Sequence, residues 1–170
     1  VKILETPRLL LREFTPEDAA FILELLNEPS WIQFIGNKNV HTLDDARAYI
    51  HRVPMGSYER HGFGLYLVEL KASGTPIGMC GLIKRDTLAD VDIGFAFLPP
   101  YWGQGYAFEA ASASLHHGKT VLGLKRIVAI TAPDNVSSVK LLEKIGLKAQ
   151  RTLQLEGIGG ESLLFSEEST

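Results

Sequence analysis

Apolar positions along this chain change their period several times, and each change marks an element. Leu9-Leu10-Leu11-Arg12-Glu13-Phe14 is an apolar run closed by Thr15-Pro16, and it reads as a strand. Thr15-Pro16-Glu17-Asp18 is a helix start, with threonine at the N-cap, proline at the first helical position and an acid three residues after the cap. Phe21, Ile22, Leu25 and Leu26 recur at helical spacing until Asn27-Glu28-Pro29 ends the segment. Thr42 starts a second helix whose apolar stripe is Leu43, Ala46, Tyr49 and Ile50. The period then falls to that of strands over residues 63–70, 76–84 and 91–98. Ala72-Ser73-Gly74-Thr75 and Arg85-Asp86-Thr87 supply the turns between them. That pattern predicts an antiparallel meander.

Beyond the meander the pattern alternates. A glycine turn at 103–105 opens a helix over residues 105–121, stopped at Gly123, and a strand follows over 125–131. Ala132-Pro133-Asp134-Asn135 makes a turn into a helix over 136–145, with Val139, Leu142 and Ile145 on one face and Gly146 as its C-terminal cap. Strands over 148–155 and 162–166 close the chain around a loop at 156–161. The strand, turn, helix, strand unit between residues 91 and 131 is a crossover, which predicts a parallel, right-handed pair. The fold class expected is therefore α+β: a mixed, mostly antiparallel twisted sheet flanked by helices. The glycine turn then lies at the C-terminal end of a central strand, where ligands of open α/β sheets bind.

Composition narrows the function classes. A chain of 170 residues without a repeat, low-complexity tract or linker is expected to form one domain over 1–170. Its net charge of -3 leaves no electrostatic footprint for nucleic acid. Its apolar runs are far shorter than the roughly 20 residues of a membrane span, and Val1-Lys2-Ile3-Leu4-Glu5 has no signal-peptide character. Cys80 is the single cysteine, so neither a disulfide framework nor a zinc site is expected. The expectation is a soluble cytoplasmic protein with no metal.

Tyr101-Trp102-Gly103-Gln104-Gly105-Tyr106-Ala107 carries the chemistry. Glycines at 103 and 105 let the backbone turn sharply and approach a ligand, and the first N–H groups of the following helix have no partner within it. With the positive end of the helix dipole they form an anion site, the alternative on spacing alone being a glycine-rich turn with no ligand. A P-loop needs a lysine after its last glycine, and Tyr106 follows Gly105. The dinucleotide fingerprint needs a third glycine where Phe108 stands and an acid near the end of the next strand, and Asp134 comes too late.

Residues 99–110, Pro-Pro-Tyr-Trp-Gly-Gln-Gly-Tyr-Ala-Phe-Glu-Ala, resemble the acetyl-CoA motif of the GNAT N-acetyltransferases. The form is that of the branch that acetylates ribosomal-protein N-termini, the RimJ/RimL-like enzymes. Thr6-Pro7-Arg8-Leu9-Leu10-Leu11-Arg12 with Asp18 resembles that branch's opening, and Pro76-Ile77-Gly78 with Gly81 and Val91-Asp92-Ile93-Gly94-Phe95 its core strands. Asn135, Ser138, Lys144 and Gly146-Leu147 follow the spacing of its last cofactor helix. The resemblance implies the GNAT fold and an acetyl-CoA-dependent transfer of acetyl to a primary amine. A protein N-terminus is the preferred acceptor and a small amine the other. The alternative is a non-catalytic acyl-CoA-binding module; the quaternary state expected is monomer or homodimer.

The same resemblance implies site residues. Gly103, Gln104, Gly105, Tyr106 and Ala107 would hold the pyrophosphate, with Trp102 standing where many members have arginine or glutamine. The pantetheine arm would pair with the strand edge at Phe95, Ala96 and Phe97 as an added strand does. Asn135 would bond the cofactor from the other side. Many GNAT enzymes place a tyrosine seven residues after the asparagine as acid for the thiolate; here that position is Leu142. Ser138 takes that role or is an ordinary first-turn serine. Asp92 is the candidate base or a salt-bridged strand acid, while Glu109 answers to the helix dipole. Among the aromatics Trp31, Phe34, Tyr58, Phe63 and Tyr66, acceptor contacts are expected from Trp31 and Phe34.

Overall fold

The computed structural model describes residues 2–29, 38–86, 88–154 and 161–167. Trp31, Phe34 and the end of the predicted strand at Leu155 lie outside the described residues.

The strands in chain order are β1 (Lys2–Glu5), β2 (Leu9–Arg12), β3 (Leu65–Leu70), β4 (Pro76–Ile83), β5 (Val91–Phe97), β6 (Ile127–Thr131), β7 (Lys148–Leu153) and β8 (Ser162–Ser166). They form one sheet in the order β1-β2-β3-β4-β5-β6-β8-β7. The expected meander is β3-β4-β5, and every neighbouring pair is antiparallel except β5 and β6. The crossover between those two is helical, as its length requires.

The helices are α1 (Ala19–Leu26), α2 (Leu43–Arg52), α3 (Pro54–His61), α4 (Tyr106–Thr120) and α5 (Val136–Lys144). The predicted start at Thr15 is a short 3-10 turn over Pro16–Asp18 that runs into α1. Asp18 accepts from the Thr15 N–H at 2.9 Å and grips the Arg12 guanidinium at 2.8 and 3.0 Å. Arg12 also reaches Glu69 on β3 at 3.2 Å, so one side chain ties the helix start to two strands. Thr42 caps α2 by accepting from the Asp45 N–H at 3.0 Å. Leu43, expected in the buried stripe, is 44% exposed because the first helical residue faces outward here, whereas Ala46, Tyr49 and Ile50 are buried.

Alternation along the strands divides the core between two faces. Leu67 and Met79 pack under α1 and α2 with Ile22, Leu25, Ala46 and Ile50. Their neighbours Val68 and Cys80 turn to the opposite face, with Leu82, Ala110, Ala111, Leu142 and Phe165. Tyr58 and Tyr66 stack at 5.4 Å between ring centroids, and Phe63 joins the same core, so none of the three forms a ligand wall. No helix among the described residues is long and apolar enough to cross a membrane.

Candidate functional site

The parallel pairing of β5 with β6 lasts for two residue pairs, Val91 with Ile127 and Asp92 with Val128. Beyond them β5 remains paired to β4, while Ala129, Ile130 and Thr131 of β6 pair with β8. The two strands therefore part at their C-terminal ends. The opening is a cleft of about 720 Å³.

Which β5 groups face the cleft follows from antiparallel geometry. Leu98 donates to the Ile77 carbonyl at 2.9 Å, so alternate residues counting back, Ala96 included, turn both peptide groups toward β4. A Cβ placed on Gly78 of β4 would lie 2.5 Å from the Ala96 carbonyl oxygen, which places that oxygen on the β4 side. Phe95 and Phe97 have the opposite phase and present their peptide groups to the cleft. The edge expected at Phe95, Ala96 and Phe97 is thus formed by the backbone of the first and last. The Phe97 carbonyl accepts from the indole nitrogen of Trp102 at 2.7 Å.

The glycine turn closes one end of this edge. Gly103 and Gly105 adopt φ of +72° and +83°, the left-handed region where a side chain is strained. The helix ladder of α4 begins with the Glu109 N–H on the Gly105 carbonyl at 3.0 Å. The N–H groups of Tyr106, Ala107 and Phe108 are left without an intrahelical acceptor, directed at the turn. Trp102, Gly103, Gly105, Tyr106 and Ala107 all line the cleft. Gln104 does not. Its side chain donates to the Pro100 carbonyl at 2.9 Å, which steadies the turn from within.

On the opposite wall, Asn135 caps α5 and its side-chain oxygen accepts from the Ser138 N–H at 3.3 Å. Among the described residues its amide N–H donors have no acceptor, and both residues line the cleft. The Ser138 hydroxyl has no hydrogen-bond partner among the described residues. Leu142, one turn on, is 1% exposed and belongs to the core, so the site offers no phenol from that position.

Asp92 sits where the strands part, 1% exposed. Burial raises its carboxyl above the usual aspartate range, and the Arg85 guanidinium 3.0 Å away only partly offsets that. Arg85 was not foreseen as its partner. The signal lay in hairpin register, since Asp92 faces Ile83, two residues before Arg85. Lys38 lines the cleft as well, its ammonium held below the usual lysine range by burial and then by the charge of Arg85. Tyr49, expected only in the α2 stripe, also reaches the cleft, with a phenol that burial pushes up to about 12. No group of three or more metal-ligating side chains occurs among the described residues. Glu109, in the first turn of α4 where it answers to the helix dipole, also accepts from the Arg8 Nε at 2.7 Å and the Arg8 N–H at 3.0 Å.

Residues 8–148 match the acetyltransferase (GNAT) domain family. The chain is 30% identical over 154 residues to the uncharacterized N-acetyltransferase YoaA of Bacillus subtilis, covering 89% of this chain and 86% of that protein. It is 31% identical over 147 residues to YnaD, another uncharacterized N-acetyltransferase of Bacillus subtilis, covering 86% of this chain and 83% of that one. Among solved structures it resembles RimL, a ribosomal L7/L12 alpha-N-protein acetyltransferase in complex with coenzyme A. That match has a TM-score of 0.82 and 16% identity, and covers 98% of this chain and 97% of that one.

Proposed function

This chain belongs to the GNAT acetyltransferase family and is an acetyl-CoA-dependent acyltransferase, and we propose that it transfers acetyl to the α-amine of a protein N-terminus within the cleft between β5 and β6. The observation that carries the site is the parting of those strands beside the unpaired N–H groups of α4. An anion fits there because backbone donors converge on it and the helix dipole favours negative charge. The backbone N–H groups from Gly103 to Ala107 are assigned to the pyrophosphate, the Phe95 peptide groups and the Phe97 N–H to the pantetheine amides, and the Asn135 side-chain N–H to the same arm. Family membership favours catalysis over a module that binds acyl-CoA without reacting, a reading whose support is the absent phenol at Leu142.

The reaction joins the amine nitrogen to the acetyl carbonyl carbon and breaks the carbon–sulfur bond. The nitrogen gives up a proton and the thiolate takes one. An α-amine with pKa near 8 is partly neutral at pH 7, so holding it in line with the thioester accomplishes much of the work. Asp92 is assigned the proton from nitrogen, since burial has raised its carboxyl toward the range of a working base. Ser138 is assigned to the sulfur, because Leu142 leaves no phenol at the usual place. Trp31 and Phe34 are assigned to the acceptor wall. The protein is read as cytoplasmic, and as working without a metal.

Thiol release tests this. Acetyl-CoA is mixed with peptides bearing free N-termini, with the same peptides N-terminally blocked, and with polyamines and other small amines. Release confined to the free N-termini is expected. Release with small amines alone overturns the acceptor class, and no release with any amine overturns catalysis at this cleft.

A further inference from the structure

Arg8 stands outside the cleft, behind the glycine turn, and touches the turn along most of its length. Its Nη1 donates to the Gln104 carbonyl at 2.9 Å, its Nε to Glu109 at 2.7 Å, and its guanidinium carbon lies 4.4 Å from the centre of the Tyr106 ring. A Cβ on Gly105 would come within 3.2 Å of its Nη2. The tight turn that carries Arg8 is itself fixed, with the Thr6 N–H on the Leu9 carbonyl at 2.9 Å and the Leu9 N–H on the Thr6 hydroxyl at 3.0 Å. The Thr6 hydroxyl donates to Glu109 too.

Two consequences follow for the turn. Gln104 C=O and Gly105 N–H belong to one trans peptide and point in opposite directions. A guanidinium holding the carbonyl on the outer side therefore aims the Gly105 N–H into the cleft. Glu109, four residues into α4, also carries a negative charge beside a place meant for an anion. Burial opposes its ionisation, yet hydrogen bonds from Thr6 and Arg8 and the charge of Arg8 hold its carboxyl below the usual glutamate range. Arg8 neutralises that charge where it stands.

We propose that Arg8 is a positioning residue for the donor's pyrophosphate: it sets the direction of the Gly105 N–H and cancels the field of Glu109 without touching the ligand. The inference rests on the acetyl-CoA reading of the cleft. It predicts that Arg8 matters only to a donor that has the pyrophosphate.

Steady-state kinetics with acetyl-CoA and with S-acetylpantetheine, which lacks pyrophosphate and adenosine, decide the matter. Arg8→Met is expected to raise KM for acetyl-CoA about tenfold with kcat within about twofold, and to leave kcat/KM for S-acetylpantetheine within about twofold. Arg8→Lys keeps a cation for Glu109 but not the fork that also reaches Gln104, so it folds and shows a smaller rise of about threefold. Equal losses with both donors, or an unchanged acetyl-CoA KM in both variants, overturn the proposal. A wild-type protein that uses the two donors equally well overturns the pyrophosphate cradle itself.

Discussion

The indole nitrogen of Trp102 donates to the carbonyl of Phe97 across 2.7 Å, and so occupies the last acceptor on the open edge of β5. Trp102 is nonetheless 53% exposed and lines the cleft. Acetyl-CoA binding is expected to quench tryptophan fluorescence, and Trp102→Phe to leave at most the part that Trp31 contributes, while weakening binding by about 1 kcal/mol or less. A full quench in the Phe variant places the donor elsewhere.

Gly105→Glu forces a side chain onto φ +83° with its Cβ 3.2 Å from Arg8 Nη2, where the new carboxylate competes for the guanidinium that holds the turn. Loss of acetyl-CoA binding is expected, read by calorimetry with circular dichroism as the check on folding. Micromolar affinity in a folded variant would refute the cradle.

Ser138→Ala separates chemistry from binding. Its backbone N–H still donates to Asn135, so the cap of α5 survives. Turnover is expected to fall by about tenfold or more with acetyl-CoA affinity nearly unchanged. An unaltered kcat removes the hydroxyl from the mechanism.

Asp92 predicts opposed effects on stability and rate. A carboxyl whose folded pKa exceeds its unfolded one favours folding at low pH, and that contribution is lost as pH rises from the unfolded value toward the folded one. Above both values the folded state holds a buried charge only partly answered by Arg85. Asp92→Asn removes it, so Tm is expected to rise at pH 7 and the difference to vanish below about pH 4. Activity falls in the same variant. A lower Tm at pH 7 would show that the ion pair outweighs burial.

Gly81→Ala tests the scaffold. The added Cβ would lie 2.1 Å from the Gly64 carbonyl oxygen and 2.9 Å from the Leu65 Cα, all backbone that cannot swing aside. A loss of about 2–3 kcal/mol is expected, or roughly 5–10 °C in Tm by thermal denaturation.

Local signals made much of this legible. Thr42 and Asn135 cap their helices through their own side chains, and Gly103 and Gly105 need left-handed backbone, so each could be read from a few neighbouring residues. Strand β1 lacks such marks, and helix α3 carries only a proline at its start and the left-handed Gly62 at its end. Lys2–Glu5 is four residues at a sheet edge, and Pro54–His61 buries little beyond its proline. Other features depend on distance in sequence. Arg8 meets Glu109 across a hundred positions, and no period or spacing records that contact. The point where β5 leaves β6 is set by β8, which captures Ala129 to Thr131 from the far side.

Two bonded residue pairs hold β1–β5 to β6, β8 and β7 across the centre of the sheet. On the proposed reading, the donor is the missing rung of this ladder, completing hydrogen bonding that the polypeptide leaves open. Substrate level then becomes a term in the folding equilibrium: at a hundred times its dissociation constant, acetyl-CoA would add about 2.7 kcal/mol of stability. The seam between the strands would exchange its amide hydrogens fastest when neither acetyl-CoA nor free CoA occupies it.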